Sequence, residues 1–163
     1  MKSFHRRLLM LTTGAAAALT LALGISTSAA APAPPSAEAS RHVAATVDGE
    51  QYSVQISAPT VAVGADAQFQ VKISAKPGFK FNKQFPTKLK LDEPPTGLEF
   101  PKRRLKKGDG SVAADSMSFT FPVPVKATQA GTFPFGGVLK FSVCNDAKCV
   151  VKREKLKSQI VAQ

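Results

Sequence analysis

The sequence predicts an all-β fold, an immunoglobulin-like antiparallel β-sandwich of about seven to eight strands. Apolar and polar residues alternate over much of residues 42–163, and a period of two is typical of strands with one buried face. Turn-forming pairs such as Asp48-Gly49, Pro77-Gly78 and Gly136-Gly137 separate the alternating runs. No window keeps a helical stripe. Many short strands in a domain of about 120 residues favour a fold of two packed sheets.

The alternating runs give the expected strands in chain order. They cover residues 51–57, 67–73, 79–81, 88–91, 118–125 and 138–143. Because the chain has no tryptophan and eleven phenylalanines, we expect phenylalanine to fill much of the core. Pro122 and Pro124 share the face opposite Phe119, Phe121 and Val123. Proline cannot donate to a β-ladder, so the 118–125 strand is expected at a sheet edge.

The first 41 residues have the composition of an export leader and a tether. Lys2, Arg6 and Arg7 precede an apolar run, and the run ends in small residues before Ala30. This pattern predicts a secretory signal peptide at 1–30. Residues 31–41 are rich in proline and alanine and predict a linker to a single domain at 42–163. Because no cysteine stands at the cleavage site to carry a lipid, and the mature chain has no apolar span, the protein is expected to be periplasmic or secreted.

Composition excludes most catalytic chemistries. The chain has two histidines, and since His5 lies in the leader, only His42 remains after cleavage. One histidine and two cysteines cannot supply four Cys/His ligands to zinc. We therefore expect no metal, no cofactor, and neither a hydrolase nor a metalloenzyme site. Removal of residues 1–30, which carry three of 22 basic residues and none of 11 acidic ones, leaves a net charge of +8.

The two cysteines form the one motif with evident chemistry. Cys144 ends an alternating run, Asn145-Asp146-Ala147-Lys148 has the composition of a tight turn, and Cys149 opens the next apolar run. A hairpin would place the cysteines opposite one another, within disulfide distance. Such a bond has two interpretations. It is a structural staple, or, because it closes only a short surface loop, it is a bond that a partner thiolate can reach.

The segment from Val138 to Cys149 resembles the cysteine hairpin of the N-terminal periplasmic domain of the thiol:disulfide interchange protein DsbD family. Weaker similarity lies at residues 77–82 and 121–125, and the resemblance covers roughly residues 45–160. It implies an immunoglobulin-like domain whose cysteine pair alternates between disulfide and dithiol. Cys149 would form the mixed disulfide and Cys144 would resolve it. The partner would be a thioredoxin-like or membrane redox protein on a separate chain.

The chain departs from that family in the loop that shields the cysteines. In the family this cap loop is acidic and aromatic, whereas the corresponding residues 101–110 are basic and contain no aromatic residue. Candidates for the shield elsewhere in this chain are Phe79, Phe81 and Phe100.

A basic segment gives an alternative function. Five positive charges occur within six residues, and such a cluster either keeps a loop solvated or binds a polyanion such as an anionic envelope surface. No aromatic residues interleave the charges, so nucleic acid is not expected as a partner. A third interpretation is a monomeric interaction module whose disulfide is only structural. The basic residues are Lys102, Arg103, Arg104, Lys106 and Lys107.

Overall fold

The computed structural model describes residues 42–58 and 60–163. The predicted signal peptide at 1–30 and the predicted linker at 31–41 lie outside these residues. Within them the chain forms strands, turns and one short 3-10 helix, Lys107–Asp109, with no α-helix. The all-β prediction is therefore confirmed.

Eleven strands are present in this part of the chain, and seven of them have four or more residues. The predicted number of strands equals the number of longer ones, but the members differ, because no alternating run predicted the strand at His42–Asp48, and the run predicted at 79–81 corresponds to the two-residue strand Lys80–Phe81. The other short strands have only two or three residues, too few to display a period of two. The longer strands are β1 (His42–Asp48), β2 (Tyr52–Ala58), β3 (Asp66–Ala75), β5 (Lys88–Leu91), β9 (Ser118–Ala127), β10 (Gly131–Cys144) and β11 (Cys149–Ala162). The short ones are β4 (Lys80–Phe81), β6 (Leu98–Glu99), β7 (Arg104–Lys106) and β8 (Ser111–Val112).

The strands form two antiparallel sheets that make an immunoglobulin-like β-sandwich. The first sheet has the order β1-β2-β3-β9-β6, with β8 also paired to β9. The second sheet has the order β11-β10-β5-β7, with β4 also paired to β10. Each sheet has an inner face toward the core and an outer face toward solvent, because side chains alternate along every strand.

The core lies between the inner faces and is rich in phenylalanine, as the composition predicted. Phe69, Phe119, Phe121 and Phe141 are fully buried. In β9 the residues expected on one face, from Phe119 to Val125, are indeed buried at every second position. Phe119 also stacks on Phe81 at 4.8 Å between ring centroids, which joins the two sheets beneath the end of β10 that carries Cys144.

The prediction that β9 is an edge strand is wrong. It pairs along its length with β3, and on its other side it pairs with β6 at one end and β8 at the other. Pro122 and Pro124 lie between these two short partners, where no named strand of the described chain occupies that side of β9. The missing N–H groups are tolerated because the gap is local, and two-residue strands are not visible in the sequence pattern.

The hairpin of β10 and β11 positions the cysteines. Its register is unbroken over fourteen residue pairs, from Gly131 opposite Ala162 to Cys144 opposite Cys149. Phe135, Leu139, Phe141 and Val143 face the core, so the even-numbered residues of β10 face outward. Cys144 therefore lies on the outer face of the second sheet, at the tip of its longest hairpin.

Candidate functional site

A disulfide joins Cys144 and Cys149 at the tip of the β10–β11 hairpin. The Sγ–Sγ distance is 2.04 Å and the Cα atoms are 4.0 Å apart. The hairpin and the pairing predicted from the Asn-Asp-Ala-Lys spacing are confirmed. Cys149 is exposed and Cys144 is half-buried, so the two sulfurs differ in their access to solvent.

Asn145 organises the turn between the cysteines. Its backbone N–H donates to the Lys148 carbonyl at 2.9 Å. Its Oδ1 atom accepts hydrogen bonds from the backbone N–H groups of Ala147 and Lys148, at 3.1 and 2.8 Å. Because a hydrogen-bonded pair alternates with a non-hydrogen-bonded pair in an antiparallel ladder, Cys144 and Cys149 form a non-hydrogen-bonded pair, in which side chains approach most closely. The turn chemistry thus sets the geometry in which the disulfide forms.

A segment whose contact with the disulfide the sequence did not predict covers the outer face beside Cys144 and Cys149. Asn82 follows β4, and its backbone N–H donates to the Ser142 carbonyl at 2.9 Å. The Nδ2 atom of Asn82 lies 3.8 Å from the Sγ atom of Cys149, a long amide-to-sulfur contact. Its Oδ1 atom accepts from the Gln84 N–H at 2.9 Å, which fixes the side chain in this orientation. Asn82 is therefore the one side-chain donor that the described residues direct at the disulfide.

Lys80 lies on the other side of Cys144. In the pairing of β4 with β10, Lys80 is opposite Cys144 and Phe81 is opposite Val143. Since Phe81 is buried, the exposed Lys80 shares the outer face with Cys144. A pocket of about 390 Å³ adjoins Cys144 on this side. Its remaining lining residues are Gly78, Phe79, Lys80, Met117, Asn145 and Asp146.

The three candidate shielding residues occupy different environments. Phe79 is half-buried and lines the pocket next to Cys144. Phe81 is 3% exposed and belongs to the core beneath β10. Phe100 packs against Phe69 and Phe135 in the core, with Phe135 nine positions before Cys144 on β10. Of the three, the structure brings only Phe79 to the cysteines on the pocket side.

The basic segment was predicted as a loop, and this is wrong for its middle part, because Arg104–Lys106 forms β7 and pairs with β5. The charges also divide among different partners. Lys102 donates to Asp109 at 2.7 Å, Arg103 pairs with Glu93, and Lys107 donates to the Lys83 carbonyl at 2.6 Å. Arg104 and Lys106 project from β7 onto the outer face of the second sheet, on either side of the buried Leu105. The five charges therefore do not act as one cluster.

The contacts that Asp109 makes lower the pKa of its carboxyl group. The hydrogen bond from Lys102 lowers the pKa of Asp109, and the backbone N–H of Lys106, which donates to Asp109 at 2.9 Å, lowers it further. Asp109 therefore remains ionised into the acid range and holds the turn after β7.

Cys149 lies on β11, the terminal strand of the second sheet, and within the described chain no named strand pairs with the free side of β11. The bridge between Val61 and Ala162 lies at the far end of β11. A thiolate must attack along the sulfur–sulfur axis, so access to each sulfur decides which one reacts. Cys149 is the more exposed of the two cysteines and is therefore the more accessible to an incoming thiolate.

Among the described residues, no group of three or more His, Cys, Asp or Glu side chains could hold a metal ion. No helix in this part of the chain has the length and apolarity needed to cross a membrane.

Comparison with known proteins gives only weak structural likeness. No family model matches the chain, and no curated protein matches it. Among solved structures, the chain is similar to AggA, the major subunit of aggregative adherence fimbriae type I from Escherichia coli, with a TM-score of 0.36 and 13% sequence identity. The match covers 75% of this chain and 100% of the AggA chain.

Proposed function

We propose that this protein is an exported thiol–disulfide exchange domain of the DsbD N-terminal type, with Cys144 and Cys149 as the reactive pair. The observation that carries the proposal is the position of the disulfide: an accessible bond at the open edge of a sheet, closing a loop with a sequence separation of five. A bond that stabilises a sandwich gains more by joining distant strands, since the loop-closure contribution increases with loop length.

The exchange has two steps. The thiolate of a reduced partner attacks Cys149 Sγ, the Cys144–Cys149 bond breaks, and Cys144 leaves as a thiolate that takes up a proton. The second thiol of the partner, as a thiolate, then attacks the partner's own sulfur in the mixed disulfide and releases Cys149. The partner ends as a disulfide and this domain as a dithiol, with two electrons transferred. The same steps in reverse oxidise this domain.

The surroundings of the sulfurs support these roles. Cys149 is exposed at the strand edge, which suits the sulfur that meets the partner. Cys144 is half-buried opposite Lys80, and a nearby positive charge stabilises a departing thiolate. The Asn82 amide can donate to Cys149 when that sulfur carries negative charge. Cys144 is accordingly the resolving cysteine.

The proposed partner and compartment follow from the same chemistry. A leader at residues 1–30 would deliver the domain to the periplasm or the medium, where disulfides persist. Because the disulfide lies at a hairpin tip, it can reach a reactive thiol in a flat or shallow surface, which suits a thioredoxin-like partner on a separate chain.

Trapping of a mixed disulfide tests the proposal. In Cys144→Ser, the chain has no second thiol to resolve a mixed disulfide at Cys149, so the variant should accumulate a covalent complex with a thioredoxin-like protein in periplasmic extract. In the matched variant Cys149→Ser, the remaining Cys144 should give much less complex. Equal trapping by both variants, or trapping by neither, would reject the assignment.

A redox titration of the purified chain separates exchange from a structural role. Exchange predicts a midpoint potential above about −300 mV, within the range of catalytic and labile disulfides. A lower potential would show that the bond is a structural staple, which is the alternative that leaves the protein as an interaction module.

A further inference from the structure

The outer face of the second sheet carries a row of four basic side chains that crosses all four strands. Lys106 of β7 is opposite Lys88 of β5, Lys88 is opposite Lys140 of β10, and Lys140 is opposite Arg153 of β11. All four side chains are exposed. Residues directly opposite on one face have Cβ atoms about 5 Å apart. The row therefore places four positive charges along a line of about 14 Å, from three interstrand steps.

A second row runs parallel to the first. It is two residues away from the first row on every strand, a distance of about 7 Å. Arg104 is opposite Lys90, Lys90 is opposite the half-buried Val138, and Val138 is opposite Lys155. Arg104, Lys90 and Lys155 are exposed. We call the seven basic residues of the two rows the basic face. Four strands contribute to it, so no single segment of the sequence displays it.

The basic face is electrostatically unfavourable in isolation. Three ion pairs occur in the part of the chain that the structure describes, and none includes a member of the two rows. Like charges directly opposite one another destabilise a sheet, and the rows contain four such pairs. The nearest carboxylates lie outside the two rows. Asp92 is two residues after Lys90 and lies beside Gly136, and Asp109 is three residues after Lys106. A bound anion would remove this repulsion.

We propose that the basic face binds a linear acidic polysaccharide that lies across the strands between the two rows. The interstrand step is close to the length of one sugar ring, so an extended polymer would present one carboxylate or sulfate group near each strand. The density of charge on the face suits a polymer with closely spaced anions. This proposal is independent of the disulfide chemistry.

Two other anionic partners fit the face less well. Lipid bilayers are bound by surfaces that combine positive charge with apolar side chains that enter the headgroup region. The two rows contain only the half-buried Val138, and the exposed Val151 lies outside them, two residues before Arg153 on β11. Surfaces that bind single-stranded nucleic acid interleave several aromatic side chains for base stacking, whereas the rows contain none and one half-buried ring, Phe85, lies against Lys140.

Binding of the purified whole chain to polygalacturonate and to heparin would test the proposal, with neutral dextran as a control. We expect binding to the acidic polymers that weakens steeply with salt, and none to dextran. The two acidic polymers distinguish carboxylate from sulfate recognition. Stronger binding to phosphatidylglycerol vesicles or to single-stranded DNA than to either acidic polysaccharide would overturn the assignment, as would binding that does not respond to salt.

Neutralising variants locate the site. Lys88→Gln combined with Lys140→Gln should weaken polysaccharide binding by about tenfold or more, because two central contacts are lost. The matched control is Lys72→Gln combined with Lys126→Gln on the first sheet, which removes the same charge and should change affinity by less than about twofold. Equal losses in both variants would show a nonspecific effect of net charge and reject the site. Because Lys88→Gln relieves repulsion, the first variant should unfold at the same or a higher temperature than the unmodified chain, which separates lost binding from lost folding.

Discussion

Lys80 lies directly opposite Cys144 in the pairing of β4 with β10, on the side of the disulfide away from Cys149. The disulfide is therefore asymmetric: Cys149 lies on the terminal strand of the sheet, whereas Cys144 has a lysine opposite it on its other side. Under the proposed exchange function, this asymmetry supports the different roles that the resemblance implies for the two cysteines.

Replacement of Lys80 should slow reduction of the disulfide. In Lys80→Gln the positive charge next to the departing Cys144 thiolate is lost, so we expect the rate of reduction by dithiothreitol at neutral pH to fall by about two- to fivefold. The effect should diminish at high salt. Lys72→Gln, on the first sheet, is the control and should leave the rate unchanged. An unaltered rate in Lys80→Gln would remove Lys80 from the mechanism.

A negative charge at Asn82 should protect Cys149 from attack. Asn82→Asp keeps the oxygen that accepts from Gln84 but replaces the amide near Cys149 Sγ with a carboxylate. Repulsion of an incoming thiolate should lower the rate of reduction by about tenfold at low salt. Urea denaturation should show little change in stability, because the turn contact is retained. Faster reduction would mean that Asn82 acts as a steric cover instead.

Removal of the disulfide should have a modest effect on stability. The double variant Cys144→Ser with Cys149→Ser should lose about 2 kcal/mol of unfolding free energy, as expected for a loop of six residues. Urea denaturation measures the loss, and the reduced unmodified chain should give the same value. A chain that no longer folds without the bond would show that the cysteines are structural.

Tyr52 should make stability depend on pH in the alkaline range. Burial, and then the hydrogen bond that its hydroxyl donates to Glu154, raise the pKa of Tyr52 well above its usual 10.0. The unfolded chain loses this proton near pH 10 and the folded chain retains it. The protonated Tyr52 hydroxyl therefore makes its full contribution to the free energy of unfolding below pH 10. That contribution is lost as the pH rises beyond 10, by up to about 1.4 kcal/mol per pH unit.

Tyr52→Phe removes this dependence, so its unfolding free energy should decline less steeply above pH 10. Tyr52 is the one tyrosine in the chain, so tyrosinate absorbance reports it alone. Ionisation of the folded chain near pH 10 would contradict the buried hydrogen bond.

Replacement of a buried hydroxyl should stabilise the fold. Thr87 is 0% exposed, and its Oγ1 atom has no hydrogen-bond partner among the described residues. Thr87→Val keeps the shape and removes the unsatisfied group, so we expect a gain of about 1 kcal/mol and a rise of a few degrees in Tm. Thr87→Ser, which keeps the hydroxyl and removes a methyl group, should be destabilising. A loss of stability in Thr87→Val would indicate that the hydroxyl has a partner.

The sequence predicted those features that depend on local patterns. The alternation around Phe119 and Phe121 identified a buried strand face, and the four residues between the cysteines identified a hairpin. Features that depend on pairing between distant segments were not predictable. Asn82 lies 67 positions from Cys149, and no pattern links them. The edge position assigned to Pro122 failed for the same reason, because the strands that flank it have two residues each.

The basic face shows this limit most clearly. Lys88 and Lys90 follow the ordinary alternation of a strand with one wet side, and so do Lys140 and Arg153 in their strands. Only the register of four strands brings them into rows. The sequence indicated a polyanion site at residues 102–107, whereas two of those residues join a larger surface and the others are held by Asp109, Glu93 and a backbone carbonyl.

The hairpin disulfide also has a mechanical consequence. Cys144 and Lys140 lie on the same face of β10, and the bond to Cys149 prevents β10 and β11 from sliding past each other. A slip of one residue would turn both Lys140 and Cys144 toward the core. With the bond closed, Arg153 must remain beside Lys140 despite their repulsion. The covalent link therefore adds to the fourteen-pair ladder in fixing the register that keeps these like charges aligned on adjacent strands.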